Sequence, residues 1–148
     1  MENIYTIGFT KKSAKQFFEL LIDNKIDIVL DVRLNNTSQL AGFSKYPDIA
    51  FFLDRICGAE YISDPYFSPS ESLLKRYKKK EMEWSEYEAE FDAIMDQRNI
   101  RDYIKEKYSV FNEKRVCLLC SEDKAFYCHR RLVAEIIQSI FGGRIIHL

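Results

Sequence analysis

The chain has 148 residues, the usual size of one domain and enough to bury a core without disulfide staples. Its 47% hydrophobic and 30% charged residues exclude a disordered chain, and a formal net charge of -1 argues against a general nucleic-acid or membrane-surface binder, which carries a basic excess. The opening MENIYTIGF lacks a basic region followed by a long apolar run, and no apolar stretch nears the roughly 20 residues that span a bilayer. A cytoplasmic protein without membrane contact is expected, with its four cysteines reduced.

Strand-like and helix-like segments alternate along the chain. Residues 3–7 read as a strand ending at Gly8, and Ser13 with Gln16 forms a capping box for a helix carrying Phe17, Phe18 and Leu21 on one face. Residues 26–32, almost all apolar, suit a parallel strand buried on both faces. Residues 34–45 are polar and aperiodic. Pro47 fits a first helical position, followed at helical spacing by Ile49, Phe52, Leu53 and Ile56 until Gly58. Residues 60–63 are a short strand, 64–70 an irregular loop with Pro65 and Pro69, and 73–80 a short basic helix or loop.

Ser85 and Glu88 form a second capping box, opening a helix with Tyr87, Phe91, Ile94 and Met95 on one side, and Trp84 packs at its start. Asn99 restarts a helix with Ile100, Tyr103 and Ile104. Residues 115–120 are the clearest buried strand. Residues 128–141 are a helix striped by Leu132, Val133, Ile136, Ile137 and Ile140; Gly142 and Gly143 end it, and 144–147 are a last strand. The alternation predicts an α/β fold: one domain over residues 1–148, a mainly parallel five-stranded sheet with helices on both faces, a Rossmann-like or flavodoxin-like three-layer sandwich with right-handed crossovers.

Ligands of such sheets bind outside the carboxyl ends of the strands. Those ends carry Gly8, Phe9 and Thr10, then Asp31 and Arg33 on one side of the second strand, then Cys120, Ser121 and Glu122, and the last helix opens with Cys128, His129 and Arg130. A helix N-terminus flanked by arginines lowers a thiol pKa and favours an anion. His129 precedes Leu132 and Val133 by three and four residues, so it faces the sheet, placed to act as a general base or to hold Asp31. The pattern suits a thiol-dependent enzyme acting on a small anionic, phosphate- or nucleotide-like substrate. Cys120 or Cys128 would be the nucleophile, His129 with Asp31 or Glu122 would handle protons, and Arg33, Arg130, Gly8 and Thr10 would bind the anion. The alternatives are a nucleotide or nucleic-acid binding module with structural cysteines, and a purely structural domain.

Other readings of the same residues are weaker. Cys117 and Cys120 lie three apart in a strand and face opposite sides, which argues against a redox pair. Zinc on Cys120, Cys128 and His129, with Asp31 or His147 as fourth ligand, is conceivable, but the spacing is not that of a finger or ribbon, and no metal or cofactor is assigned. No His-x-Glu precedes the cysteines as in zinc deaminases, Phe126 and Ala134 stand where a cysteine phosphatase loop needs arginine, and there is no Gly-x-Gly-x-x-Gly or P-loop. Lys75, Arg76, Lys78, Lys79 and Lys80 around Tyr77 offer a phosphate-backbone contact, although Glu81 and Glu83 follow. The oligomeric state is left open.

The chain resembles the family catalogued as domain of unknown function 488. The resemblance rests on YTIG at residues 5–8, DVR at 31–33, GFSK at 42–45, LLKRYKKKEMEWSEYEAEF at 73–91 and, most specifically, LLCSEDKAFYCHRRLVAE at 118–135. It runs nearly the whole length and implies a compact cytosolic α/β protein with Asp31, Arg33, Cys120, Glu122, Cys128, His129 and Arg130 as signature positions, but no activity. Two departures stand out: Phe9 where the family usually has His after YTIG, and Asp64-Pro65-Tyr66-Phe67 where it tends to carry Leu-Gly.

Overall fold

The computed structural model describes residues 1–37 and 41–148, so Ser38, Gln39 and Leu40 of the aperiodic stretch at 34–45 lie outside the described residues. Strands β1 (Asn3–Gly8), β2 (Ile28–Asp31), β3 (Glu60–Ser63), β4 (Val116–Cys120) and β5 (Arg144–His147) form one all-parallel sheet in the order β3-β2-β4-β1-β5. The expected α/β class with a five-stranded parallel sheet is what folds. Among the described residues six α-helices connect the strands: α1 (Ala14–Asp23), α2 (Asp48–Phe52), α3 (Glu71–Lys78), α4 (Trp84–Gln97), α5 (Ile100–Lys107) and α6 (His129–Phe141).

Alternate residues of each strand feed two separate cores. On one face Tyr5, Ile7, Val29, Cys117 and Leu119 pack against Phe17 and Leu21 of α1 and Ile49 of α2. On the other, Ile4, Leu30, Leu118 and Cys120 pack against Phe91 of α4, Ile104 of α5 and Leu132 and Ile137 of α6. With helices on both faces, every residue of β4 is buried, which is why its sequence is uninterruptedly apolar. Cys117 and Cys120 accordingly fall in different cores.

Local differences from the sequence reading have physical causes. The Ser13–Gln16 capping box forms as expected. The Ser85–Glu88 box does not: α4 begins two residues earlier than that box implies, at Trp84, with Glu83 at the N-cap and no side-chain cap. The helix after Pro47 begins at Asp48 and passes into a π turn over Leu53–Cys57, whose wider winding turns Ile56 outward to 48% exposure. Gly58, in the left-handed region at φ 64°, then ends it. The proline loop after β3 contains a 3-10 turn over Pro65–Phe67.

That loop carries the segment Asp64-Pro65-Tyr66-Phe67. Asp64 is buried there and accepts hydrogen bonds from the hydroxyls of Tyr103 (2.6 Å) and Tyr108 and from the Tyr66 N–H (3.0 Å). Burial alone would push this carboxyl up; the phenols, the Tyr66 amide and Lys107 hold it below its ordinary value. Among the described residues, no helix is long and apolar enough to cross a membrane.

Candidate functional site

β1 leads into α1 on one face of the sheet and β4 into α6 on the other, so the chain parts between the carboxyl ends of two neighbouring strands, with Gly8 paired to Cys120. The β4–α6 loop crosses directly over this point. A Cβ on Gly8 would lie 1.7 Å from the Glu122 carbonyl oxygen, so only glycine admits the loop. Thr10 donates to the Ser121 carbonyl through both its N–H (3.2 Å) and its hydroxyl (2.8 Å). Arg130 is fully buried beneath, donating from Nε to Thr6 Oγ1 (3.3 Å), from Nη1 to the Glu122 carbonyl and from Nη2 to the Asp123 carbonyl (3.2 Å). Gly8 and Arg130, expected to contact an anion, thus build the loop from behind, whereas Thr10 both ties the loop and lines the cavity in front of it.

Asp31 and Arg33 do meet, as strand periodicity predicts, but mainly each other. Arg33 donates from Nε to Asp31 Oδ1 (2.9 Å), from Nη2 to Oδ2 (2.8 Å) and to the Ser44 carbonyl (2.7 Å), and Tyr61 donates its hydroxyl to Asp31 Oδ2 (2.6 Å). The pair is buried, with the guanidinium 5.3 Å over the ring of Phe9. Burial works against the guanidinium charge, but Asp31 outweighs it and raises the pKa. Asp31 is thus engaged by Arg33 and Tyr61, while the His129 ring meets the Val32 carbonyl and Cys120.

The side chains that converge are Cys120 at the end of β4, Cys128 at the N-cap of α6, and His129 in its first turn. Their ligand atoms all lie within 4.8 Å of one another, with Cys120 Sγ 3.7 Å from His129 Nδ1. His129 Nε2 is 2.7 Å from the Val32 carbonyl, which can only accept. The ring hydrogen therefore sits on Nε2, and in the neutral ring the Nδ1 lone pair faces the sulfurs. The thiols titrate as a pair: the hydrogen bond from Cys120, then His129 and the Arg130 charge, draw Cys128 well below an ordinary thiol, and the same bond with burial pushes Cys120 well above. Such a trio can take up a proton, present a thiolate or hold a thiophilic metal ion. The fourth zinc ligands considered from sequence stand elsewhere: Asp31 is held by Arg33 and Tyr61, and His147 Nδ1 is 2.6 Å from Thr6 Oγ1.

A cavity of about 830 Å³ opens over the trio. Glu122, exposed at its edge, shares it with Arg33 and Phe9. Its far wall comes from α3 and α4, and these residues the sequence reading missed. Trp84 and Tyr87 stack with ring centroids 5.0 Å apart, Tyr77 lies 4.8 Å from Tyr87, and Tyr127 meets Trp84 edge-on at 5.8 Å. The Tyr87 phenol is pushed up by burial and by the nearby sulfurs of Cys120 and Cys128. Trp84 and Tyr87 read as packing residues because they do pack; the available signal was Tyr127 beside Cys128 and the density of aromatics at 77–91. Of the basic run, Lys75 pairs with Glu71 (3.1 Å) and Arg76 with Glu90 (2.9 Å), while Lys78 and Lys80 reach the cavity.

Residues 13–137 match the family model described as Domain of unknown function DUF488, most of the chain, and the chain belongs to that family. The match includes Asp31, Arg33 and the whole motif from Cys120 to Arg130, but starts after Gly8 and Phe9. No curated protein and no solved structure gives a significant match.

Proposed function

We propose that this cavity is the active site of a thiol-dependent enzyme acting on a small anionic substrate of phosphate- or nucleotide-like character. The observation that carries the reading is the convergence of Cys120, Cys128 and the lone-pair nitrogen of His129 beneath a cavity of about 830 Å³, a size suited to a small molecule. In this reading the two thiols are the reactive groups and His129 Nδ1 takes the thiol proton, its ring steadied by the Val32 carbonyl. Lys78, Lys80 and the amino end of α6 supply positive potential, since Arg33 is already paired with Asp31. The exposed ring of Tyr127 suits a planar ring on the substrate.

The test is turnover of a panel of phosphate esters and nucleotides by the wild type, Cys120→Ser and Cys128→Ser. Each substitution is expected to lower the rate by at least about 100-fold. Equal rates in all three proteins overturn thiol dependence. The lysines beside stacked aromatics also favour a second reading, a nucleotide-binding module. Nucleotide affinity that is unchanged in both variants and accompanied by no turnover would select it.

A further inference from the structure

We propose that Cys120 Sγ, Cys128 Sγ and His129 Nδ1 bind a divalent metal ion of the zinc class, with a fourth coordination position open to the cavity. The proposal rests on reading the cavity as an active site; with an ion bound, the two thiolates and His129 Nδ1 would serve as its ligands, and the ion instead of a free thiol would meet the substrate.

Zinc bonds of about 2.3 Å to sulfur and about 2.0 Å to nitrogen, at a tetrahedral angle, separate sulfur from nitrogen by roughly 3.6 Å. Cys120 Sγ and His129 Nδ1 are 3.7 Å apart. All three ligand atoms lie within 4.8 Å of one another, against a tetrahedral sulfur–sulfur separation of roughly 3.8 Å, so closing the site takes a shift on the order of 1 Å.

Charge and orientation agree with the distances. The three side chains are only 6%, 3% and 7% exposed, and two thiolates against a divalent ion leave so buried a site without net charge. His129 presents Nδ1 because its Nε2–H donates to the Val32 carbonyl, the arrangement that orients histidine ligands in metal sites. That carbonyl is itself held: the Val32 N–H donates to the Leu119 carbonyl (3.1 Å), beside Cys120 in β4. Two thiolates and an imidazole select zinc-like ions over magnesium or calcium, which prefer oxygen.

Among the described residues, no fourth His, Cys, Asp or Glu joins the group. Three protein ligands with one position left to water or substrate is the pattern of a catalytic zinc rather than a structural one. All three ligands line the cavity, so the open position is reached from it, and an anionic substrate there would meet the ion directly.

The experiment is metal analysis of the full chain purified without chelators, followed by cobalt(II) titration read by the thiolate-to-cobalt charge-transfer band. Wild type and Cys117→Ser, whose sulfur lies in the opposite core, are expected to bind about one ion per chain, and Cys120→Ser and Cys128→Ser to lose the band. A wild type without the band at millimolar cobalt overturns the proposal, and so does a band unchanged in both Cys120→Ser and Cys128→Ser. The two readings fail separately. No band with cysteine-dependent turnover removes the metal and leaves the thiol enzyme; a band with turnover indifferent to both cysteines does the reverse.

Discussion

Gly8 and Arg130 hold the β4–α6 loop from the same side, one by having no side chain and the other by having a long one. Gly8→Ala would drive a methyl group into backbone, which cannot rotate away as a side-chain tip can. It is expected to lower unfolding stability by about 1–3 kcal/mol in urea titration. Gly42→Ala, whose added methyl meets nothing within 4 Å among the described residues, should stay within about 0.5 kcal/mol of the wild type. Equal midpoints for the two variants would sink the close-approach account. At this scale the sequence was half readable. The segment from Cys120 to Arg130 identified itself by residue type, and strand periodicity brought Asp31 to Arg33. Which of these polar groups face the cavity and which are already partnered depends on Tyr61, the Ser44 carbonyl and the loop carbonyls over Arg130, all distant in sequence or on the backbone. Phe9 is buried and packs under the Arg33 guanidinium. The trio of Cys120, Cys128 and His129 is complete without it.

Among the elements, the two Ser-x-x-Glu/Gln signals are identical in kind and opposite in outcome. Ser13 caps α1, whereas α4 starts at Trp84, ahead of Ser85. The difference lies in packing: Trp84 stacks on Tyr87, meets Tyr77 edge-on and lies 5.8 Å under the Arg131 guanidinium, so the helix begins where its first ring is held. Ser13→Ala should therefore cost about 1 kcal/mol, and Ser85→Ala less than about 0.5 kcal/mol. Thermal unfolding of the two variants checks this, and a larger loss at Ser85 would refute it. Strand positions and helix types follow from apolar periodicity, because burial on one face or both is a repeating local signal. The π turn after α2 escaped for the opposite reason: one extra residue per turn changes which side chains point inward without changing composition. The same limit applied to α3, which the sequence left open between helix and loop, and to α4, whose amphipathic pattern gave its existence but not its place against the cysteines.

For the molecule as a whole, strand order decides where chemistry is possible. With β4 central and flanked by β2 and β1, its carboxyl end faces the parting of the chain on both sides, so the two cysteines sit where loops from three regions meet. The N-terminal third contributes Phe9, Thr10 and Arg33, the long excursion through α3 and α4 brings the aromatic wall, and the C-terminal third supplies the trio. Such an assembly requires a rigid centre. β4 is paired along both edges and covered on both faces, whereas β3 and β5 are each paired along one edge and exposed at their ends. Backbone amides of residues 116–120 should thus exchange with solvent only through global unfolding, on the order of 100-fold or more slower than those of residues 144–147. Hydrogen exchange followed by mass spectrometry at neutral pH reads this directly. Similar protection of the two strands would mean that the sheet opens as one unit, and the cysteines would then owe their fixed separation to α6 and the loop over Gly8 instead of to the central strand.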